Sequence, residues 1–171
     1  MILLRRIRWL LGAFIAGLVL SGVTAFPLRH ELDLLAAMLG VGDVHSPAGH
    51  SGLTWWILRV REALEVTYER FPFIAYGTDW LAFGHIVIAL FFIGPWLDPV
   101  RNVSAIYVGM VACVGVIPLA LICGPIREIP FYWRLIDCAF GIIGILPLWL
   151  VLRFTAKLEK SEAAGKSPAQ S

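Results

Sequence analysis

Four apolar stretches dominate the chain, each bounded by charged or turn-forming residues. They run from about Trp9 to Leu28, Trp80 to Leu97, Ser104 to Gly124 and Phe131 to Leu152. A helix crossing hydrocarbon needs about 20 mostly apolar residues. In lipid every backbone N–H and C=O must find a partner within the protein, so uninterrupted apolar runs of this length predict helices. No ten-residue segments of alternating polarity are present, which argues against a membrane β-barrel. The predicted fold is all-α: an integral membrane four-helix bundle, with an extracytoplasmic amphipathic helical segment between spans one and two.

That segment, residues 29–79, is the only sizeable part expected outside the bilayer. Leu32 to Leu39 is apolar and fits a short helix, whereas Gly40 to Gly52 is rich in Gly, Ser, Pro and His and reads as a loop. Thr54 is placed to cap a helix continuing to about Arg70. On that helix Trp56, Val60, Leu64 and Tyr68 share one stripe at i, i+4 spacing, with Arg59, Glu62, Glu65 and Glu69 mostly elsewhere. Such a helix suits a membrane surface with Trp55 and Trp56 at headgroup depth, or the mouth of the bundle. Residues 1–156 are read as a single transmembrane domain. Residues 157–171 mix Ala, Gly, Ser, Pro and charges and are expected to form a disordered cytoplasmic tail. Gly94-Pro95 and Asp98-Pro99 predict a helix end and a tight turn after span two. Pro118 and Pro147 lie deep in spans three and four, where each removes one backbone bond. Gly12, Ala16, Ser21, Gly141 and Gly144 offer small surfaces for close helix contact.

Composition strengthens the membrane reading. Of 171 residues, 59% are hydrophobic and 15% charged, against roughly 25% charged in soluble domains. A soluble fold of this length has too little interior for so much apolar surface. The net charge of +2 gives no basis for nucleic-acid binding. The basic residues follow span ends instead. Arg5, Arg6, Arg8, Arg101, Arg153, Lys157, Lys160 and Lys166 fall on one side, and Arg29, Arg59, Arg61, Arg70 and Arg127 on the other. The richer side is expected to be the cytoplasm, with both termini inside. The basic start and Val23-Thr24-Ala25 also fit a secretory signal with a cleavage site. The run is long for a signal, however, and Phe26-Pro27 is a poor start for a mature chain, so the first span is expected to be retained. Cleavage would leave three spans.

Ionisable groups within spans are costly and each calls for an account. Asp79 and His85 lie near the outer end of span two, and Arg134 and Asp137 at i, i+3 near the outer end of span four. Arg127 and Glu128 sit in the short connection above them, with His30 and Glu31 at a similar level. These residues predict a polar cluster at the outer mouth, in which Arg134 pairs with Asp137 or Asp79 and His85 bonds to Asp137. The structural account is charge neutralisation and helix register. The functional accounts are proton relay, gating of a polar ligand, or a metal site completed by His30 or Glu31. No dense ligand spacing is present, so neither a metal nor a cofactor is expected. His85 is the one histidine inside a span, which disfavours a haem held by two histidines. His45 and His50 read as solvated loop residues. Cys113, Cys123 and Cys138 contain no C-x-x-C pair and read as small apolar fillers, although Cys123 and Cys138 lie near the same face. No nucleophile elbow or phosphate-binding loop occurs, and no catalytic residue is assigned.

Tyr76-Gly77-Thr78-Asp79-Trp80-Leu81-Ala82-Phe83-Gly84-His85 forms one motif. Gly124-Pro125-Ile126-Arg127 followed by Pro130-Phe131-Tyr132-Trp133-Arg134-Leu135-Ile136-Asp137-Cys138 forms another. Both resemble a family of small multi-pass bacterial inner-membrane proteins with no assigned activity, over spans two to four. The resemblance implies a bacterial inner-membrane location and promotes no residue to a catalytic role. The expected function is therefore non-enzymatic: a structural, accessory or assembly component, with the bilayer and other membrane-protein subunits as partners. The rivals are a small transporter or proton-linked channel built on the outer cluster, and a metal- or redox-handling membrane enzyme.

Overall fold

The computed structural model describes residues 2–166. Among them there are helices and no strands. The elements are α1 (Ile2–Ala25), α2 (Leu28–Met38), α3 (Gly52–Arg70), a 3-10 turn (Pro72–Ile74), α4 (Ala75–Phe91), α5 (Ile93–Leu97), α6 (Val103–Ile126) and α7 (Phe131–Lys166). Four stretches are long and apolar enough to cross a membrane: Ile2–Ala25, Pro72–Leu97, Val103–Ile126 and Phe131–Ala164. They contain the four predicted spans except at one end, where the first helix stops three residues short.

The differences in length have simple causes. An apolar run marks only the part of a helix that lipid can accept, whereas the backbone continues wherever propensity allows. Thus α1 takes in Arg5, Arg6 and Arg8, which are good helix formers. It ends before Pro27, which stands at the N-cap of α2. At the other end, α7 runs 36 residues, so residues 157–166 of the expected disordered tail are helical. Adding Ala, Lys, Glu and Leu to an existing helix avoids a new nucleation step. The rest of that tail lies outside the described residues. The second apolar stretch is broken at Phe92, where the ladder switches to a bond from the Phe92 N–H to the Ala89 carbonyl at 3.1 Å. Pro95 lacks the N–H that would bond Phe91 and its ring crowds that carbonyl. The predicted turn after the span is present: the Arg101 N–H donates to Asp98 Oδ1 at 3.1 Å and the Asn102 N–H to the Asp98 carbonyl at 3.2 Å.

The chain groups into two compact units. One combines the described residues up to Gly17 with those from Ile88 onward; the other is Leu18–Val87. In the first, α6 and α7 pair along their length as a helical hairpin and α5 packs on α6. Ile7, Leu11, Phe92, Ile106, Leu148 and Val151 are buried. Gly141 is needed here, because a Cβ at this position would collide with the Cys113 carbonyl of α6. The predicted small surface at Gly141 and Gly144 is thus the α6–α7 contact.

In the second unit α2 packs on α3, and α3 on the 3-10 turn. Leu32, Ala36, Val41, Ile57 and Leu58 are buried. The predicted stripe of Trp56, Val60, Leu64 and Tyr68 is only half-buried. The deeper face is rotated by about one residue, onto Ile57, Leu58 and Arg61. The helix also starts earlier than Thr54, with Ser51 at the N-cap in extended backbone.

Candidate functional site

The predicted outer cluster divides between the two units. Asp79 and His85 belong to one; Arg127, Glu128, Arg134 and Asp137 belong to the other.

The second group is built on the four-residue link between α6 and α7. The Glu128 N–H donates to the Pro125 carbonyl at 3.1 Å and the Ile129 N–H to the Gly124 carbonyl at 2.9 Å. These are the two bonds of a Schellman helix end, in which the residue after the C-cap takes left-handed backbone. Here the C-cap is Arg127 and the left-handed residue is Glu128, at φ 58°. Glycine usually fills that place because a Cβ is disfavoured there. The Pro130 carbonyl then receives the N–H groups of Trp133 and Arg134, opening α7.

Arg134 leans back across this link. Its Cγ and Cδ fill the space that a side chain at Gly124 would occupy, so Gly124 is the seat for the arginine stem. Its guanidinium carbon lies 5.2 Å from the centre of the Phe131 ring, within cation–π range. Nε is buried and has no hydrogen-bond partner. The expected Arg134–Asp137 ion pair is not formed: among the described residues, ion pairs involve only Arg29, His45, Arg59 and Arg61. Arg134 instead lies over Gly124 and the Phe131 ring.

On α4, Asp79 and His85 are both half-buried. His85 Nδ1 lies 2.8 Å from the Leu81 carbonyl. A carbonyl only accepts, so this bond requires a proton on Nδ1. The His85 Cβ also packs beside Gly22 of α1, where an added Cβ would meet the Ala82 carbonyl at 2.8 Å. His85 therefore sits at a close α1–α4 crossing.

No three His, Cys, Asp or Glu side chains among the described residues gather as a metal site. Among the described residues, the Thr24 and Thr78 hydroxyls donate to the Ser21 and Ala75 carbonyls. All three cysteines are free, with Cys138 buried and Cys123 exposed.

A better-connected polar centre lies between the first two membrane-length stretches, on α2, α3 and their loop. Arg61 Nε lies 2.7 Å from Asp33 Oδ1, and its Nη1 donates to the Gly42 and Val44 carbonyls at 2.9 and 3.2 Å. The Arg61 side chain is 14% exposed. One guanidinium thus ties α3 to α2 and to the loop between them, satisfying carbonyls that the loop's backbone leaves open. Beside it Glu65 receives Arg29 at 3.1 Å, with His45 at 3.9 Å. His45 is largely solvated, as expected, with its side chain 68% exposed. The sequence signal for Arg61 was its spacing, four residues after Ile57 and on the same helical face. A cation on an apolar face requires partners, but its partners come from two other segments.

Compared with known protein families, curated proteins and solved structures, the chain matches none.

Proposed function

We propose that this protein is a non-enzymatic accessory or assembly component of a bacterial inner-membrane complex, with both termini in the cytoplasm. One observation carries the reading. The α2–α3 pair, which lies between the first two membrane-length stretches, is tied together by Arg61 yet exposes Leu34, Leu35, Met38 and Val66. Met38 and Leu34 are 76% and 63% exposed. Exposed apolar surface on an ordered segment marks a contact site. The polar groups of this segment serve its own geometry: Arg61 clamps the loop and Glu65 holds Arg29. That is the economy of a presenting surface. Orientation rests on the basic residues of α1, the Arg101 turn and the end of α7.

The test is a photo-crosslinkable residue at Leu34 or Val66, with Phe140 on the apolar face of α7 as control, followed by purification in mild detergent and intact-complex mass spectrometry. The expected result is adducts of fixed protein mass from positions 34 and 66, and a complex of fixed stoichiometry. A lone chain crosslinked only to lipid at all three positions would overturn the proposal. A bound metal lost on His85→Ala would instead establish the metal-enzyme reading.

The transporter reading is favoured by a different observation: the buried, unpartnered Nε of Arg134 in a span. It predicts that proteoliposomes containing the protein pass protons or a small anion, and that Arg134→Gln abolishes the flux. Flux indistinguishable from empty vesicles would remove it.

A further inference from the structure

An open groove of ≈ 960 Å³ runs along the first half of α1 and is closed at one side by Trp96 of α5. Its lining changes character along the helix axis. Arg5 and Arg8 stand at one end, Trp9 and Trp96 in the middle, and Gly12 and Ala16 toward the other. The end near Arg8 is tightly built. Arg8 Nε donates to the Trp96 carbonyl at 3.3 Å and Nη2 to the Leu97 carbonyl at 3.5 Å, while Trp96 Nε1 donates back to the Arg8 carbonyl at 3.1 Å. The guanidinium carbon of Arg8 lies 5.7 Å from the Trp96 ring centre. Arg8 is therefore held in place with Nη1 unused. Arg5, one turn earlier, has no ion-pair or hydrogen-bond partner among the described residues.

We propose that this groove binds one anionic phospholipid of the leaflet in which α1 begins. The phosphate lies between Arg5 and Arg8, and one acyl chain lies along Gly12 and Ala16. Three features fit this occupant. Arg5, Arg6 and Arg8 are confined to the first two turns and are the whole charge of α1, so the helix is amphipathic along its axis in the same sense as a lipid. From Arg5 to Ala16 the helix rises about 16 Å, the reach of an acyl chain. Two tryptophans sit at the junction of charge and hydrocarbon, the depth such rings prefer. The absence of side chains beyond Cβ at Gly12 and Ala16 keeps the floor open for the chain. The inference goes beyond the accessory-component reading and needs only that α1 spans the bilayer.

The test uses the full-length protein in mild detergent, titrated with phosphatidylglycerol or phosphatidylcholine and read by intact-protein mass spectrometry. Inorganic phosphate serves as a competitor. The expected result is one retained phosphatidylglycerol, weakened about fivefold or more by Arg5→Gln, following the roughly 1 kcal/mol that each basic residue contributes at an anionic surface. Arg5 makes no contact that its loss would unfold. Ala16→Phe leaves the charges alone but fills the groove, and is expected to weaken retention comparably. The Lys157→Gln/Lys160→Gln variant, which removes two charges from α7, is expected to retain the lipid like the unaltered chain. Equal retention of phosphatidylcholine, equal loss in the lysine variant, or binding unchanged by Ala16→Phe would each overturn the proposal. Complete displacement by millimolar phosphate would reduce the site to a simple anion site and also overturn it.

Discussion

Glu128 and Gly40 occupy the same backbone position at the ends of two helices. After α2 the Gly40 N–H donates to the Ala37 carbonyl and the Val41 N–H to the Ala36 carbonyl, with Gly40 at φ 74°. After α6 the same pair of bonds surrounds Glu128. The two residues should therefore respond in opposite directions. Gly40→Ala is expected to destabilise by about 1 kcal/mol, the penalty of a Cβ in left-handed backbone. Glu128→Gly is expected to stabilise by about 0.5–1 kcal/mol by removing that penalty. Thermal unfolding in detergent reads both. A loss of stability in Glu128→Gly would show that the Glu128 side chain holds something in place. Arg61 belongs to the same scale. Arg61→Ala leaves Asp33 and two carbonyls without their charged donor, and hydrogen bonds to charged groups contribute about 1.5–3 kcal/mol each. The expected outcome is rapid proteolysis within residues 40–51 under conditions where the unaltered loop resists. Equal cleavage rates would mean that the clamp does not order the loop.

For the elements, the decisive question is what lets α6 and α7 approach. Membrane helices gain little from hydrophobic burial against one another, since lipid is equally apolar, and depend on close packing. Gly141 supplies the closest approach, backbone against the Cys113 carbonyl. Gly141→Leu is expected to separate the hairpin and cost about 1–3 kcal/mol, the range for overpacking a fitted contact. A disulfide engineered across the pair should form less readily in that variant. Gly124 has a different task. It leaves room for Arg134, so Gly124→Leu should displace the arginine from Phe131 while α6 remains helical.

The whole molecule adds topology. On the proposed orientation, with the termini inside, a cysteine introduced at His50 should react with a membrane-impermeant thiol reagent applied from outside. One at Lys160 should react only after the membrane is opened. The native thiols at Cys113, Cys123 and Cys138 serve as the background to subtract. Labelling of both positions from the same side would contradict the three crossings that separate them. At this scale the two compact units also matter: the residues expected to form one outer cluster are contributed by different units, each with its own local network.

The sequence by itself determined the all-α class, the four membrane-length helices, the turn at Asp98 and the small contact surface at Gly141 and Gly144. Each follows from local rules. Apolar length, proline chemistry and the absence of a side chain act within a few residues of where they are written. Only the tertiary structure decided that α3 turns Arg61 inward, that Arg134 rests on Gly124 rather than pairing with Asp137, and that Arg8 and Trp96 bond reciprocally. In each case the partner is distant in sequence, or the choice depends on which way a side chain leans. Hydrophobic patterning records that a charge sits on an apolar face. It does not record which carbonyls or carboxylates, brought there by other helices, satisfy that charge.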